Sequence, residues 1–323
     1  MGIPGEWEKL APMNMGVTAG TETTKISPEW LKRCMDMDKI IVVSEHTRQS
    51  IINTVYPAIN NLNGEKFDAK VTCPVEVVGY PYKNIKSAKI DLDLKDDFNF
   101  LVVGTWIPRK NMENTIKWFV EEFHDAEVGL DRRRLTNRMN QIMASYEDAK
   151  CSVYLLHGDF LEEEMTAIYN HPKIKGLLNL SHGEGFGLPI FEAAYNGLPV
   201  ITIDWGGQCD FLYVSSKDKK GNVKNKPMFT KIPYDLKLIQ PEAVWENVLQ
   251  ADSQWAFPKE WAVKKELRKF YKNVTPYVLK AKKLKKWIIE EFSEDKQYEK
   301  FVNCVSEEMT FDDEEWWDVV EHD

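Results

Sequence analysis

The sequence has few of the features that mark secreted, membrane-spanning or metal-stapled proteins. Its five cysteines stand singly, their number is odd, and no Cys-x-x-Cys pair occurs. This pattern argues against a disulfide framework or a structural zinc site and suits a reducing compartment. No apolar run approaches the ~20 residues needed to cross a bilayer, and the first residues lack the basic segment and apolar core of a signal peptide. We therefore expect a cytoplasmic protein.

An excess of positive charge is also missing. Acidic residues number 51 against 42 basic ones, so the formal net charge is −9. Proteins that bind nucleic acid usually have basic surfaces, so nucleic acid is not expected to be the main partner of this acidic chain. With 323 residues, of which 43% are hydrophobic, the chain has enough material for two domains that each bury a core.

The most informative stretch is residues 177–212, LLNLSHGEGFGLPIFEAAYNGLPVITIDWGGQCDFL. Its first apolar residues predict a buried strand, and a turn with three glycines follows at 183–187. Pro189 suits the first position of a helix, where its missing N–H costs nothing, and Gly197 supplies a stop signal. A β-branched run then predicts a second buried strand. The stretch is therefore expected to form a β-loop-α-β unit.

The chemistry of this turn favours an anion. Glycines let the backbone approach a ligand, and N–H groups at a helix start attract negative charge. Glu184 and Glu192 bracket the helix start. Phosphate would repel a carboxylate, so these two are better suited to accept hydrogen bonds from hydroxyls. Phosphate on amides with hydroxyls on carboxylates describes a sugar nucleotide, although the glycine pattern alone also occurs in ordinary tight turns.

A second polar loop follows the strand expected at 98–103. It carries Arg109 and Lys110, and Asn111 is expected to cap the next helix. Open α/β sheets bind ligands at the carboxyl ends of their strands, and a cation pair there can neutralise a diphosphate. A solvated basic pair near a helix start would explain the same residues.

Together these motifs resemble the donor site of retaining GT-B glycosyltransferases of the family-four type. The resemblance rests on the strings EGFGLP, EA and GLPV in their order, and on VGTWIPRKN before them. It implies that Glu184 lies against the donor sugar and Glu192 holds the ribose hydroxyls. It also implies that Arg109 and Lys110 neutralise the leaving diphosphate. Many relatives carry Arg directly after the glycine, where this chain has Thr105.

Three catalytic residues are implied by the resemblance, namely Glu184, Arg109 and Lys110. The donor-binding residues that it implies are Gly104, Thr105, Gly158, His182, Gly183, Gly185, Phe186, Gly187, Leu188, Pro189 and Glu192. A loop histidine such as His182 serves more often as a hydrogen-bonding scaffold. No metal or cofactor is implied, because no Asp-x-Asp motif sits in a suitable loop and the protein's own cations serve instead. The nucleotide-sugar donor is a substrate, and its base, UDP or GDP type, stays open.

The same resemblance predicts an α/β fold with two Rossmann-like domains. Residues 1–82, with strings such as DKIIVVS and VEVVGYP, resemble the last part of a GT-B N-terminal domain. A linker is expected at 83–97, a complete nucleotide-sugar domain with a parallel sheet at 98–292, and a return helix and acidic tail at 293–323. Residues 241–292 are expected to be helical. The first domain is expected to be incomplete, either by truncation or because a partner chain supplies the remainder.

The implied activity is metal-independent transfer of a sugar, with retention, from a nucleotide sugar to a glycan or lipid-linked acceptor. One alternative is a non-catalytic sugar-nucleotide-binding remnant or a subunit of a split enzyme. A dinucleotide-dependent oxidoreductase is disfavoured because no G-x-G-x-x-G follows a first strand. Basic residues concentrated at 264–286 are compatible with peripheral contact to an anionic membrane, although most such runs are solvated faces.

Overall fold

A computed structural model of the protein describes residues 2–125, 129–130, 136–146, 148–156, 158–217 and 221–306. Its architecture is mixed α/β, with two sheets of parallel strands and helices packed on them. The fold class expected from the sequence is therefore confirmed.

The first part of the chain builds a three-stranded parallel sheet and a separate hairpin. Its elements are β1 (Met15–Thr18), α1 (Pro28–Met35), β2 (Lys39–Val42), α2 (Glu45–Ile52), β3 (Tyr56–Ile59), β4 (Lys66–Ala69) and β5 (Val75–Val77). The sheet order is β1-β2-β5, and β3 pairs with β4 antiparallel. Both helices begin at a serine: Ser27 Oγ accepts from Trp30 N–H at 3.2 Å, and Ser44 Oγ accepts from Thr47 N–H at 3.1 Å. These caps satisfy backbone donors that have no partner within the helix.

The second part is larger and alternates strands with helices. Its first elements are β6 (Asn99–Leu101), α3 (Met112–Glu122), β7 (Gly129–Leu130), α4 (Thr136–Met143), β8 (Ser152–Val153), α5 (Glu162–Tyr169), β9 (Ile174–Asn179), α6 (Leu188–Asn196), β10 (Val200–Ile203) and α7 (Cys209–Leu212). Next come β11 (Tyr213–Lys217), β12 (Val223–Pro227), β13 (Thr230–Ile232), β14 (Tyr234–Leu238), β15 (Gln254–Pro258), α8 (Glu260–Lys272), α9 (Thr275–Glu291) and α10 (Glu294–Ser306).

Six of these strands form one parallel sheet in the order β13-β10-β9-β6-β7-β8. From β6 the chain adds strands outward to β8 and then returns to the other side of β6 with β9. The strand order therefore reverses between β6 and β9, and open α/β sheets bind ligands in the crevice at this switch point. The basic loop leaves β6 and the glycine turn leaves β9, so the two predicted loops meet there.

The two faces of this sheet have separate cores. Leu101, Leu177 and Val200 point to one face, where they pack with residues of α6 and α9. Their neighbours along the strands point to the other face and pack with residues of α3 and α8, as Phe100 does with Phe270. This division follows from the alternation of side chains along a strand.

The structure corrects the helical expectation for residues 241–292. Residues 254–258 form β15, which pairs antiparallel with β14, and Trp255 is 1% exposed. Apart from one turn of 3-10 helix at Pro241–Ala243, helix begins only at Glu260. The basic residues at 264–286 are divided between α8 and α9, on opposite faces of the sheet. Lys264 is paired with Glu121 of α3, so peripheral membrane contact stays a prediction that rests mainly on α9.

The sequence predicts a linker at 83–97 and a return helix in the segment 293–323. Residues 83–97 contain no helix or strand, and α10 brings the chain back to the first sheet, where Lys39 Nζ donates to Cys304 O at 2.9 Å. The exact domain boundaries stay predictions, and the acidic tail at 307–323 lies outside the described residues. Among the described helices, none is both long and apolar enough to cross a membrane.

Candidate functional site

The basic loop after β6 is tied to the end of β9 by Asn111. This residue has a left-handed backbone, with φ of 51°, and its carbonyl accepts from the N–H of Thr115 in α3. Its side chain does not cap the helix, which corrects the sequence prediction. It donates instead to Leu180 O at 3.2 Å. The strand that carries the glycine turn therefore fixes the position of the basic loop.

Arg109 makes the next two connections between these loops. Its backbone carbonyl accepts from His182 N–H at 2.7 Å, and its Nη1 donates to Gly183 O at 2.8 Å. Arg109 thus connects the basic loop to the glycine turn through both its main chain and its side chain. The guanidinium therefore lies beside the glycine turn, and its role toward a diphosphate stays a prediction.

An ion cluster lies between the basic loop and the glycine turn. Lys110 Nζ lies 2.5 Å from Glu184 Oε1, and Arg109 Nη1 lies 3.4 Å from Glu184 Oε2. The side chain of Glu184 is only 7% exposed. Burial alone would raise the pKa of Glu184, but Lys110 and Arg109 outweigh it, so this pKa lies below its usual value. Glu184 is therefore a fixed anion between two cations.

A fourth charge joins the cluster from the first part of the chain. Glu22 Oε1 lies 2.9 Å from Arg109 Nη2. Burial raises the pKa of Glu22, and Arg109 only partly opposes this effect. Glu22 could not be identified from the sequence, because residues 1–26 show no clear hydrophobic periodicity. Glu22 reaches this position because the first part of the chain packs against the second. Such a contact between distant segments produces no local pattern in the sequence.

Two glycines of the turn are required by protein contacts. A Cβ atom on Gly183 would lie 2.3 Å from Glu22 O, and one on Gly185 would lie 2.9 Å from Ala19 O. The Gly185 carbonyl also accepts from Ser44 Oγ at 2.5 Å. The backbone of the first part thus packs directly on the turn. Close approach of a phosphate, the reason suggested by the sequence, is not needed to explain these glycines.

The start of α6 has the expected form. Gly187 has φ of +90°, a conformation that favours glycine, and its carbonyl accepts from the N–H groups of Ile190 and Phe191. Pro189 lies in the first turn, where N–H groups lack intrahelical partners. Leu188 is 45% exposed, whereas the ring of Phe186 is 4% exposed and packs in the core. Phe186 therefore contributes its backbone to the turn, and its ring contacts other aromatic side chains.

Glu192 lies on α6 in a different environment from Glu184. Tyr169 O–H donates to Glu192 Oε2 at 2.8 Å. Burial raises the pKa of Glu192 more than the tyrosine lowers it. Glu192 thus stands apart from the contacts of the ion cluster.

His182 is a buried support of the turn. Its Nδ1 lies 3.0 Å from Ala256 O, and its ring centroid lies 4.1 Å from that of Phe257. Burial lowers the pKa of His182 to about 4, so the imidazole is neutral near pH 7. These contacts agree with the scaffold interpretation and connect β15 to the glycine turn.

The remaining predicted residues are peripheral to the cluster. Gly104 and Thr105 are exposed beside the basic loop, and a Cβ on Gly104 would lie 3.6 Å from Lys110 Cδ. Gly158 is exposed after the edge strand β8. Within the described ranges, no three His, Cys, Asp or Glu side chains are grouped in a way that could hold a metal ion.

His46 is a further residue that the sequence prediction missed. It follows β2 at the carboxyl end of the first sheet, and its ring meets the edge of Trp205 with centroids 4.5 Å apart. Burial lowers the pKa of His46 to about 4. Its place just after a buried parallel strand was the signal that could have identified it.

Several solved structures of glycosyltransferases have the same architecture. Sucrose-phosphate synthase from Thermosynechococcus elongatus aligns with a TM-score of 0.58 at 12% identity, over 86% of this chain and 60% of that one. A mutant of S. aureus TarM, solved with Fondaparinux, alpha-GlcNAc-glycerol and UDP, aligns with a TM-score of 0.55 at 12% identity, over 90% and 50%. The chain has the GT-B fold. The pneumococcal O-GlcNAc transferase GtfA, in complex with UDP and GlcNAc, aligns with a TM-score of 0.52 at 16% identity, over 91% and 52%.

The likeness to these GT-B structures establishes the fold alone, because the identities are low. The chain spans between half and three fifths of the length of these three structures. No protein-family model matches the sequence, and neither does any curated protein.

Proposed function

We propose that this chain binds a nucleotide sugar at the switch point of its larger sheet and transfers the sugar to a glycan or lipid-linked acceptor. One observation carries the proposal: Arg109 and Lys110 converge on the buried Glu184 where β6 and β9 end. Two cations at this place are suited to bind a diphosphate, and the carboxylate is suited to accept hydrogen bonds from sugar hydroxyls. TarM and GtfA were solved with UDP, which makes UDP sugars the first donors to test.

The proposed chemistry is electrostatic. As the anomeric bond breaks, negative charge develops on the leaving diphosphate. Arg109, Lys110 and the N–H groups at the start of α6 would stabilise that charge, and fixed donors in a water-poor site do so effectively. No metal takes part in this proposal, because the side-chain cations supply the positive charge. Retention of the anomeric configuration is part of the proposal and rests on the resemblance of the motifs.

The two glutamates have different proposed roles. Glu184 holds both cations in place before the donor arrives and presents its remaining acceptor capacity to the sugar. Glu192 has a hydroxyl partner already in Tyr169, and we assign it to the ribose hydroxyls. A carboxylate that accepts from neutral hydroxyls needs no cation beside it, which agrees with the surroundings of Glu192.

Thermal unfolding with UDP, GDP and ADP sugars tests donor binding. A ligand at 100 times its dissociation constant stabilises the native state by about 2.7 kcal/mol, so one nucleotide should raise the melting temperature visibly. If none of them does, the donor-site proposal is wrong. NADH is included in the panel, and stabilisation by NADH alone would favour an oxidoreductase.

Turnover separates an enzyme from a binding remnant. Release of the nucleoside diphosphate from the stabilising donor is measured with a panel of glycan and lipid-linked acceptors. Lys110→Ala should reduce release strongly, whereas Lys117→Ala, which removes an exposed lysine of α3, should not. Donor binding without release for every acceptor would favour the remnant or the subunit of a split enzyme.

A further inference from the structure

The guanidinium of Arg109 is already engaged by carboxylates from both parts of the chain. Nη2 faces Glu22 at 2.9 Å, and Nη1 faces Glu184 at 3.4 Å and Gly183 O at 2.8 Å. With Lys110, the cluster has two cations and two carboxylates, so its formal charge is zero. A neutral cluster attracts a diphosphate much less than two free cations would.

The segment that carries Glu22 is built against the glycine turn. Gly20 has φ of +72°, and a Cβ there would lie 2.1 Å from Thr47 Cγ2. Thr47 Oγ1 donates to Ala19 O at 3.1 Å. The backbones of Ala19 and Glu22 in turn reach Gly185 and Gly183. Residues 19–22 are thus held from both sides, which fixes the carboxylate of Glu22 at Arg109.

Glu22 and Glu184 differ in how a diphosphate would affect them. Glu184 belongs to the turn itself and keeps Lys110 as a partner at 2.5 Å. Glu22 has Arg109 as its cation, and the raised pKa of Glu22 reflects how poorly this single contact offsets burial. A phosphate that takes the Arg109 donors places like charge beside Glu22. Glu22 is therefore the group that a diphosphate would displace.

We propose that Glu22 is an internal counterion that occupies Arg109 until a nucleoside diphosphate displaces it. The proposal rests on the donor site proposed above. Displacement removes the ion pair between the first part of the chain and the basic loop. Arrival of the nucleotide thereby weakens the attachment of residues 19–22 to the basic loop, while their contacts with Thr47 and the glycine turn remain.

Isothermal titration calorimetry with UDP and GDP tests this role. Glu22→Gln keeps the shape of the side chain and removes its charge, so the nucleotide should bind about tenfold more tightly, as expected when a charged hydrogen bond no longer competes. Glu29→Gln removes the same charge from a half-buried pair with Arg33 in α1 and should leave the affinity unchanged. Urea unfolding of both variants verifies that they are folded.

The outcomes separate the two proposals. If the wild type binds a nucleotide and Glu22→Gln binds it equally or more weakly, the counterion role is wrong and the donor site stands. If neither protein binds UDP or GDP, both proposals are wrong.

Hydrogen exchange of the wild type gives a second measurement that needs no variant. With saturating UDP or GDP, whichever binds, the amides of residues 20–22 should exchange faster than without it, because their segment loses the ion pair between Glu22 and Arg109. Slower exchange would mean that the nucleotide tightens the contact and would overturn the proposal.

Discussion

Glu184 and Glu192 stand eight residues apart in one motif, yet their surroundings have opposite electrostatic effects. Glu184 lies in the turn before α6 between Lys110 and Arg109, and these cations lower its pKa in spite of burial. Glu192 lies on the helix with Tyr169 as its hydrogen-bond partner, and burial raises its pKa. The shared motif therefore contains two different carboxylates. Cations keep Glu184 ionised, whereas the burial of Glu192 is only partly offset by its hydrogen bond from Tyr169.

The difference agrees with the separate tasks proposed for the two glutamates. The region around Glu184 keeps its charges together by ion pairs and by close backbone packing, so it has to be assembled before a ligand arrives. Glu192 has one neutral hydrogen-bond donor, Tyr169, and its carboxylate can accept further hydrogen bonds, so it suits hydroxyl groups. Stability and affinity measurements on the two glutamates should therefore give different patterns.

The largest expected effect is on the free energy of unfolding. Glu184→Ala leaves Lys110, whose side chain is 11% exposed, without its carboxylate, and removing one partner of a buried pair costs about 3 kcal/mol. Glu192→Ala leaves no cation unpaired and should cost about 1 kcal/mol or less. Urea unfolding at pH 7 measures both. Equal losses for the two variants would contradict the distinction.

His182 lies two residues before Glu184, and its own titration also changes stability with pH. This contribution has to be known before the pH dependence of the two glutamates can be compared. The pKa of this buried ring falls from 6.5 to about 4 on folding, so the unfolded chain binds the proton more tightly. Its contribution is complete above pH 6.5 and is lost as the pH falls towards 4. This loss amounts to about 2–3 kcal/mol.

His182→Asn keeps an N–H donor near Ala256 O and does not titrate. Its unfolding free energy should fall less between pH 6.5 and 4 than that of the wild type, whereas His124→Asn, at an exposed position, should behave as the wild type does. If His182→Asn and the wild type lose stability in parallel, the ring does not titrate as argued.

Much of the larger sheet and of its crevice could be predicted because the signals are local. Pro189 and Gly197 mark the ends of α6 within one residue, and the apolar runs mark β9 and β10. The meeting of the basic loop with the glycine turn followed from a general rule for parallel sheets. Each of these inferences depends on neighbours in sequence or on strand polarity alone.

The remainder could not be predicted because it depends on distant contacts. β1 has the sequence MGVT and lacks an apolar run, and its pairing with β2 places it in the sheet. The sequence predicts helix over residues 254–258, whereas the structure has β15 there, with Trp255 and Ala256 buried in the second part of the chain. Glu22 contacts Arg109, which lies 87 positions away in the sequence. Gly183 and Gly185 leave space for the backbone of residues 19–22, which is also distant in sequence.

Glu192, whose removal should cost little stability, should have a measurable effect on nucleotide affinity. Glu192→Gln removes the charge that would accept from the ribose hydroxyls and should weaken binding of the stabilising nucleotide about fivefold. Tyr169→Phe, which removes the existing partner of Glu192 but keeps the carboxylate, should change the affinity less. Calorimetric titration of both variants measures this, and unchanged affinity in Glu192→Gln would remove Glu192 from the ribose site.

The smallest effect is the pH dependence of the two glutamates, and its sign separates them most directly. The pKa of Glu184 is lowered on folding, so its contribution to stability is present above about pH 4.5 and is lost as the pH falls through its folded pKa. The pKa of Glu192 is raised, so its contribution is present at low pH and is lost as the pH rises through its folded pKa.

Subtracting the wild-type unfolding free energy from that of each Gln variant across this range isolates the two groups. Glu184→Gln should become relatively less stable as the pH rises, because the wild type gains the ionised pair that the variant lacks. Glu192→Gln should become relatively more stable over the same range, because the wild type must then keep a poorly compensated carboxylate buried. Two difference curves with the same slope would mean that both carboxylates have the same electrostatic surroundings, and the division of the motif into a fixed anion and a hydroxyl acceptor would no longer have a physical basis.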